Sequence, residues 1–478
     1  MWTRAARRKG VAGFAASLAL LLGCGARSSL DLGTDASVGG GGHSFGTAPG
    51  GAASGGRAGA GGVGAAGGRS GSAGAFGGGG LAGAAGGPAA TRCEIDGESY
   101  DSGALNPKNG CERCEPKATA TAWTTAAGGS CVHGISVGVQ HACALRGGAA
   151  LCWGWNFRGQ LGDGSTVDHV TPVAVVNLPA PVSAISAGAW HTCAVAEGAV
   201  FCWGGGDAGQ LGDGRLMTSA APVAVRGLES GVTALSVGLD STCAVMRGAA
   251  YCWGSNSAGE LGDGTNVSSG TPRAVLSLDA EVTAISVQDQ HGCALQRGVA
   301  YCWGKNATGE LGNGTTVNSA VPVRVQGLGA ASQITAGESA SCAIVDGAAF
   351  CWGTNLNGQL TLPLGGFRAE PVPIMLSSGV TSVAIGQGEV CALQRGRAIC
   401  WGNVTTGVQG PDVLIGSTDP SPAPFGPPGA PIVELSTRGE NGCLVQNGQA
   451  LAWGFNNYGQ LGNGRGVASA QPVPVAFP

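Results

Sequence analysis

The sequence predicts an all-β protein whose main domain is a seven-bladed β-propeller built from four-stranded antiparallel blades. Two observations predict this fold: a Trp-Gly pair that recurs at a near-constant interval, and a pair of short β-forming runs before each recurrence. Successive pairs are 50, 50, 50, 49, 49 and 52 residues apart. The tryptophans are Trp153, Trp203, Trp253, Trp303, Trp352, Trp401 and Trp453.

Each predicted blade contains a hairpin that ends at its Trp-Gly pair. In the second unit, runs at residues 191–195 and 199–204 flank Glu197-Gly198, and an X-Gly pair between such runs indicates a tight hairpin turn. With that pair in the turn, Cys193 lies opposite Cys202 at a non-hydrogen-bonded position, where Cα atoms are about 4.5 Å apart. A disulfide closes at this separation without moving the backbone.

The same register predicts one disulfide inside each of six blades. The pairs are Cys143/Cys152, Cys193/Cys202, Cys243/Cys252, Cys293/Cys302, Cys342/Cys351 and Cys391/Cys400. The seventh unit keeps the turn as Asn447-Gly448 but places Ala452 opposite Cys443. Cys443 therefore lacks the partner that its position predicts.

A loop of the form N-x-x-G-[QE]-L-G-[DN]-G follows most Trp-Gly pairs, and a fourth short strand follows the loop, as at residues 172–175 and 472–475. Four antiparallel strands in each repeat are typical of a propeller blade. A solenoid fits less well, because no helical pattern appears and neither terminal unit resembles a polar cap. We assign residues 132–478 to the propeller.

The composite pattern HTCAL, CWGxN, GQLGDG and PVxV resembles the repeat of the regulator of chromosome condensation family, in the cysteine-bearing form of exported bacterial members. The resemblance implies a seven-bladed propeller. It does not determine function, because related propellers include a nuclear exchange factor for a small GTPase, a secreted β-lactamase inhibitor and uncharacterised surface proteins. This chain differs from the exchange factor, because its sequence has an export signal, an acidic net charge and no basic arm.

The amino terminus predicts export. Four basic residues precede an apolar run at residues 11–22, which is too short to span a bilayer, so residues 1–23 are predicted to be a signal peptide. The sequence Leu21-Leu22-Gly23-Cys24 resembles a bacterial lipobox, which implies cleavage before Cys24 and lipid attachment there. The expected location is the bacterial cell envelope, at the outer membrane or cell surface. Release without a lipid, or an uncleaved anchor, remains an alternative.

Two further segments are predicted before the propeller. Residues 24–90 form a disordered tether, because residues 36–90 are almost entirely Gly, Ala and Ser. Residues 91–131 form a small module that carries Cys93, Cys111, Cys114 and Cys131. Two disulfides of open connectivity are favoured over zinc, because only one Cys-x-x-Cys spacing is present. The module weakly resembles von Willebrand type C modules, and exchange of Cys131 with Cys443 stays open.

Charge narrows the class of partner. The formal net charge is −4, and removal of residues 1–23 takes away four positive charges and no negative ones, which gives −8. A nucleic-acid partner is therefore not expected, since that binding requires a concentrated basic surface. We expect a monomer that contacts the membrane only through its lipid, and disulfides are favoured in the oxidising compartment outside the cytoplasmic membrane.

Aromatic side chains predict a binding surface on one face. Strand order places the loops between first and second strands and the loops after Trp-Gly on the same face, with the X-Gly turns opposite. Units 7, 1 and 2 are neighbours in a closed ring and supply most of the candidates, while unit 5 supplies a divergent loop. The candidates are Trp155, Phe157, Arg158, Trp190, Phe367, Arg368, Phe455 and Tyr458. The alternatives are packing between blades and, for the divergent units 5 and 6, drift without function.

No catalytic or metal site is predicted. His141, His191 and His291 occupy equivalent positions, where structural hydrogen bonding is favoured over a metal or catalytic ring. Asp163 and its equivalents lack the spacing of a calcium loop, and no nucleophile with a general base can be assembled. We expect no cofactor. The leading interpretation is a binding module for a protein or glycan, with a channel-mouth polysaccharide lyase or hydrolase and a passive surface spacer as alternatives.

Overall fold

The computed structural model describes residues 92–95, 98–101, 112–113, 124–125, 131–376, 378–402, 417–421 and 431–478. The predicted signal peptide (1–23), Cys24, the tether (24–90), the divergent loop at 403–409 and the insertion around Phe425 lie outside these residues. In the predicted four-cysteine module, Arg92–Ile95 pairs with Glu98–Asp101, and Glu112–Arg113 pairs with Thr124–Thr125. The domain boundaries proposed from the sequence remain predictions.

The main domain is a seven-bladed propeller, and each blade is an antiparallel sheet of four strands in chain order. Blade 1 comprises Val132–Val137, His141–Arg146, Ala149–Gly154 and His169–Ala174. Blade 2 comprises Val182–Ala187, His191–Ala196, Ala199–Gly204 and Ser219–Ala224. Blade 3 comprises Val232–Val237, Ser241–Met246, Ala249–Gly254 and Ser269–Ala274. Blade 4 comprises Val282–Gln288, His291–Gln296, Val299–Gly304 and Ser319–Arg324.

The remaining three blades follow the same plan. Blade 5 comprises Ala331–Ala336, Ala340–Val345, Ala348–Thr354 and Phe367–Pro373. Blade 6 comprises Val380–Ile385, Glu389–Gln394, Arg397–Gly402 and Ser417–Ser421. Blade 7 comprises Ile432–Arg438, Asn441–Gln446, Gln449–Gly454 and Ser469–Pro474. The fourth strands of blades 1 and 7 begin three residues before the predicted segments.

The hairpin register is the one that the X-Gly turns predict. Glu197 and Gly198 have φ angles of 51° and 79°, which is the left-handed backbone that a type I′ turn requires. Cys193 lies directly opposite Cys202 across the hairpin, and the equivalent cysteines of the other five blades face each other in the same way.

All six predicted intrablade disulfides are present. Their Cα–Cα separations are 4.0 to 4.1 Å, slightly shorter than the distance expected for a non-hydrogen-bonded pair. The bonded pairs are Cys143–Cys152, Cys193–Cys202, Cys243–Cys252, Cys293–Cys302, Cys342–Cys351 and Cys391–Cys400. Each bond joins the two middle strands of its blade, and all twelve cysteines are buried.

Blade 7 lacks this disulfide, as its sequence predicts. Cys443 pairs with Ala452 in the same register and is a buried free thiol. Cys131 is disulfide-bonded, so it is not exchanged with Cys443. Burial in an apolar environment raises the pKa of the Cys443 thiol, which keeps it protonated and unreactive in the folded protein.

The repeated tryptophans lie in the seams between blades. Trp203 of blade 2 is fully buried in a cluster with Leu145 and Leu161 of blade 1, and Trp153 packs in the same way against Val445 of blade 7. A buried indole N–H requires an acceptor. Six indoles donate through Nε1 to a backbone carbonyl of the preceding blade, over 2.7 to 2.9 Å.

The innermost strands are joined by a second set of contacts. A serine hydroxyl on the innermost strand accepts a hydrogen bond from a backbone N–H of the next blade, over 2.9 to 3.1 Å. The pairs are Ser136 with Ala187, Ser186 with Val237, Ser236 with Val287, Ser286 with Ala336, and Ser436 with Val137. These contacts run around a central channel whose cavity has a volume of about 280 Å³.

Blade 7 closes the ring on blade 1 without exchange of a strand, since each blade uses one continuous stretch of chain. The Glu434 carboxylate accepts hydrogen bonds from the Gly134 and Ile135 amides, each over 3.0 Å. The Val132 amide donates to the Gly448 carbonyl over 2.9 Å. The described part of the chain contains no helix long and apolar enough to cross a bilayer.

Candidate functional site

The loops between first and second strands and those between third and fourth strands lie on one face, called here the loop face. Backbone hydrogen bonds join the two sets: the Trp155 amide donates to the Gln140 carbonyl over 2.9 Å, and the Gly205 amide donates to the Trp190 carbonyl over 2.8 Å. The X-Gly turns lie on the opposite face, called the turn face.

A buried asparagine holds the long connection of the loop face in most blades. In blade 1, Asn156 Nδ2 donates to Asp163 Oδ1 over 3.1 Å, and Asn156 Oδ1 accepts from the Leu161 amide over 2.9 Å. Asp163 also accepts from the Ser165 amide over 3.0 Å. These hydrogen bonds hold the pKa of the Asp163 carboxyl below its usual range, against the opposing effect of burial. Asp163 therefore has the turn role that its sequence context predicts.

Four aromatic side chains from three blades form a contiguous cluster on the loop face. Trp155 is central: its ring centroid lies 5.4 Å from that of Trp190, 5.9 Å from that of Tyr458 and 6.0 Å from that of Phe157. Phe157 and Tyr458 are 70% and 37% exposed, and the two tryptophans are half-buried. Trp155, Phe157, Trp190 and Tyr458 are called the aromatic cluster below.

Arg158 extends this cluster across the seam between blades 1 and 2. Its guanidinium carbon lies 5.5 Å from the centroid of the Trp190 ring, within range of a cation–π contact. The same guanidinium forms an ion pair with Asp207 of blade 2. The structure thus brings together five of the eight residues predicted from the sequence.

The other three predicted residues lie elsewhere. Phe455 packs against the apolar core between blades 6 and 7, which is the alternative that the sequence left open for such rings. Phe367 and Arg368 are exposed at the start of the outermost strand of blade 5, three blades from blade 1. Arg368 Nη1 donates to the Phe367 carbonyl over 2.9 Å.

The loop-face end of the central channel is occupied by an arginine that the sequence analysis did not single out. Arg438 ends the innermost strand of blade 7, at a position where most blades have glycine. It is buried, and its Nη1 donates to the Ala187 carbonyl over 3.0 Å and to the Val237 carbonyl over 2.7 Å. Burial lowers the pKa of Arg438 to about 10, so its guanidinium stays charged at neutral pH.

Acidic side chains lie in the loops that follow the innermost strands, at the same end of the channel. Burial raises the pKa values of the Asp240, Glu338 and Glu440 carboxyls. For Asp240, the charge of Arg158 opposes this rise in pKa and neighbouring carboxylates add to it. For Glu338, the charge of Arg438 opposes the rise. Asp240, Glu338 and Glu440 are called the mouth carboxylates below.

The equivalent histidines are structural. Thr192 Oγ1 donates to the Gln160 carbonyl over 2.9 Å, so it accepts from His141 Nε2 at 2.8 Å, and the imidazole is the neutral Nε2–H tautomer. His191 and His291 make the same contact with Thr242 and Ser341. Burial lowers the pKa of each histidine to about 3. Among the described residues, no group of three or more His, Cys, Asp or Glu side chains is arranged to hold a metal ion.

Comparison with known proteins agrees with this architecture. The family model for the Regulator of chromosome condensation (RCC1) repeat matches residues 147–195, 197–245, 247–295, 297–344 and 447–478, and a second RCC1 repeat model matches residues 182–210. The matched segments contain RCC1-type repeats and together cover just under half of the chain. No curated protein sequence matches the chain.

Solved structures with the same fold include RCC1 proteins. Human WBSCR16 is 22% identical, with coverage of 69% of this chain and 94% of the other and a TM-score of 0.61. The structure of Kap60 bound to yeast RCC1 (Prp20) matches at 21% identity, 68% and 83% coverage and a TM-score of 0.61. Prp20p from Saccharomyces cerevisiae matches at 20% identity, 73% and 86% coverage and a TM-score of 0.60. At these identities the likeness shows the fold alone.

The RCC1 repeat matches stop within blade 5 and resume in blade 7. The unmatched stretch between them contains the divergent loops of units 5 and 6. In blade 5, Thr361 stands where equivalent blades have glycine, for example Gly262. Thr361 is buried with a φ of 53°, a left-handed conformation that is unfavourable for a β-branched residue. Its Oγ1 has no hydrogen-bond partner among the described residues. Blade 5 therefore keeps the blade geometry at the expense of local strain.

Proposed function

We propose that the propeller is an interaction module and that its loop face binds a protein or glycan partner. The observation that carries the proposal is the aromatic cluster, in which four rings from blades 7, 1 and 2 meet at a partly exposed surface. Aromatic residues and arginine are enriched among the residues that contribute most to binding energy. The loops beneath them are fixed by buried hydrogen bonds, so little conformational entropy is lost when a partner binds.

The RCC1 proteins with this fold support a role in recognition. Yeast RCC1 (Prp20) was solved in a complex with Kap60, and the structure of Prp20p was described together with its binding to Gsp1p and histones. These partners are properties of those proteins. For this chain, they support the general role of an RCC1-type propeller as a binding scaffold, with the specific partner determined by its own loop face.

We propose a non-catalytic role in preference to a lyase or hydrolase at the channel mouth. The three equivalent histidines, which would have to supply the bases of a catalytic ring, are buried, neutral and engaged with the next blade. Arg438 is engaged with two backbone carbonyls. The aromatic cluster also favours recognition over a passive spacer, because a spacer has no need of a contiguous aromatic surface.

For location, we propose export and lipid attachment at Cys24, with the Gly/Ala-rich tether between the lipid and the propeller. Metabolic labelling with an alkyne fatty acid tests this directly. We expect label in the envelope fraction for the natural chain and none for Cys24→Ser. A labelled Cys24→Ser variant, or natural chain without label in an expressing bacterium, would contradict lipid attachment.

The binding site is tested with the full chain and a triple variant, Trp155→Ala, Phe157→Ala and Tyr458→Ala. Envelope extract and a glycan array provide the candidate partners, and the bound species is quantified for each variant. We expect the triple variant to lose the partner while it keeps a melting temperature near that of the natural chain. Arg247→Asn with Arg395→Asn is the matched control, because it changes the turn face and Asn447 shows that asparagine fits that turn position.

Partner binding that survives the triple variant unchanged would exclude the aromatic cluster as the site. Loss of binding in the turn-face control, with the triple variant intact, would move the site to the opposite face. Both results require that the variants unfold like the natural chain, which differential scanning calorimetry establishes.

A further inference from the structure

Equivalent aliphatic side chains project from the loop face in five blades. Each follows the [DN]-G turn of its blade and is separated from the outermost strand by one intervening residue. These side chains are between 63% and 73% exposed. They are Val167, Met217, Val267, Val317 and Val467, called here the apolar rim. An apolar residue at a fixed distance after the turn is visible in the sequence repeat, but its exposure is evident only in the structure.

The fold holds the rim backbone in place while leaving the side chains in solvent. The buried Asn256 Nδ2 donates to the Val267 carbonyl over 3.1 Å, and the same contact is 3.0 Å long between Asn306 and Val317. A valine whose side chain stays in water contributes no burial energy to folding. The apolar character at this position is therefore not explained by stability of the blade.

The apolar exposure is concentrated on this face. Of the fifteen large apolar side chains that are exposed in the described part of the chain, ten lie in the connections between third and fourth strands. The aromatic cluster belongs to the same connections and to the neighbouring loop of blade 2. Apolar surface gathered in this way on one face marks an interaction site rather than ordinary scattered exposure.

Charge distinguishes the centre of the face from its rim. The mouth carboxylates follow the innermost strands, so they lie inside the rim. The nearby cations have other close partners: Lys305 lies 3.3 Å from Asp289, Arg158 pairs with Asp207, and Arg438 contacts backbone carbonyls. None of the three mouth carboxylates forms an ion pair with a described residue. The centre of the loop face therefore carries an excess of negative charge.

We infer that the loop face binds a protein whose contact surface is basic at its centre and apolar around it. The inference rests on the proposed function and names the chemistry of the partner. Separate aliphatic side chains offer a glycan neither hydrogen bonds nor a stacking surface, whereas they match the apolar part of a protein interface. The mouth carboxylates disfavour an anionic membrane, whose surface attracts basic residues. The same carboxylates complement lysine and arginine side chains.

Synthetic peptides test this chemistry before the natural partner is identified. The probe is an amphipathic helical peptide of leucine and lysine, and a helix of about 18 residues is about 27 Å long. Two matched probes replace every lysine by glutamate or every leucine by serine. Affinities are measured by fluorescence anisotropy with full-length protein that carries Cys24→Ser, so that a lipid makes no contribution. We expect the Leu/Lys peptide to bind about ten-fold more tightly, or better, than either matched probe.

Two sets of substitutions then assign the binding to the two parts of the face. Each set should weaken binding of the Leu/Lys peptide about ten-fold. The first set places serine at all five rim positions, and the second combines Asp240→Asn, Glu338→Gln and Glu440→Gln. Val321→Ser with Leu276→Ser is the matched control, because both are exposed apolar residues outside the loop face connections. The control should bind as the natural chain does, and all variants should retain its melting temperature.

Equal affinity for the Leu/Glu probe, or no effect of the rim variant, would overturn the inference. Rim-dependent co-sedimentation with phosphatidylcholine/phosphatidylglycerol vesicles would overturn it in favour of a membrane. A different result is a glycan that binds the natural chain and the rim variant equally, and fails to bind the variant with alanine at Trp155, Phe157 and Tyr458. That result would support the proposed function but reject a protein partner of this chemistry. If no peptide, vesicle or glycan binds the loop face, both the inference and the proposed function are rejected.

Discussion

Trp153 Nε1 of blade 1 donates a hydrogen bond to the Gln460 carbonyl of blade 7 over 2.8 Å, joining residues 307 positions apart in the chain. The same bond joins Trp203 to Gln160, although those blades are neighbours in sequence. The seam that closes the ring is therefore built like the others. The recurring Trp-Gly pair is an inter-blade connection as well as the end of a hairpin.

Replacement of this tryptophan tests that connection. Trp203→Phe keeps a buried aromatic ring but removes the N–H donor to the Gln160 carbonyl. We expect a loss of about 1–3 kcal/mol in the free energy of unfolding, from the lost hydrogen bond and the smaller ring. Trp153→Phe should cost a similar amount, since its seam has the same contacts. Denaturant unfolding measures both, and Phe157→Ala, at an exposed position, should change stability little. A Trp153 variant as stable as the natural chain would show that the closing seam is not held in this way.

A seventh disulfide can be added to blade 7. Ala452 lies opposite Cys443 in the register that the six native disulfides occupy. Ala452→Cys should therefore form a disulfide with Cys443 when the protein folds under oxidising conditions, before the thiol is buried. Closing this short loop should stabilise the protein by about 2–3 kcal/mol. Thiol titration after denaturation, followed by peptide mapping, checks the bond. Ala450→Cys is the matched control, because Ala450 lies opposite Val445. An Ala452→Cys variant whose two thiols stay reduced under oxidising conditions would contradict the register.

Replacement of Thr361 in blade 5 by glycine should stabilise the protein. Thr361→Gly removes a β-branched residue from a φ of 53° and an unpaired buried hydroxyl. We expect a gain of about 1–2 kcal/mol in the free energy of unfolding. The reverse change in blade 3, Gly262→Thr, should destabilise the protein, since a Cβ there lies 2.9 Å from Val275 and 3.0 Å from Trp303. Thermal unfolding compares the stability of both variants with that of the natural chain. Destabilisation by Thr361→Gly would show that Thr361 makes a stabilising contact.

Acid should weaken the propeller through its buried histidines. The pKa of His141 is about 3 in the folded protein and 6.5 in the unfolded chain, and His191 and His291 behave alike. At pH values between these two, the three histidines bind protons only in the unfolded chain. Their contribution to the free energy of unfolding is therefore fully present above pH 6.5 and is lost as the pH decreases towards 3. The slope is up to about 1.4 kcal/mol per pH unit for each histidine.

A triple His→Gln variant isolates this effect, because glutamine retains an N–H donor but does not titrate. We expect unfolding free energies measured between about pH 7 and about pH 4 to decrease less steeply for the variant than for the natural chain. Carboxylates contribute equally to both proteins. Identical pH profiles would show that the histidines do not control acid stability.

Local patterns predicted the blades well because β-hairpin geometry is local. The turn at Glu197-Gly198 sets which residues face each other, so Cys193 and Cys202 could be paired from the sequence. The aromatic cluster could be anticipated because ring closure makes blades 7 and 1 neighbours. Trp155, Phe157, Trp190 and Tyr458 accordingly lie together.

Longer-range features could not be derived in this way. The sequence shows Arg438 where most units have glycine, yet its path to carbonyls of blades 2 and 3 depends on the diameter of the closed ring. Phe455 illustrates the same limit, because the choice between core and surface depends on how blade 7 packs on blade 6. The apolar rim was visible only as single apolar residues in loops. At Val267 and Val317, buried asparagines fix the backbone in a position that leaves the side chains exposed.

Site-specific photo-cross-linking tests the loop face as the binding surface most directly. A benzophenone amino acid is introduced at Phe157 on the loop face, or at Arg247 on the turn face, and the full chain is irradiated in intact cells that express it. The proposed site predicts one discrete cross-linked species from position 157, none from position 247, and loss of that species when Trp155 and Tyr458 are alanine. Cross-links from position 247 alone, or cross-links at 157 that persist in the alanine background, would contradict a partner held by the aromatic cluster.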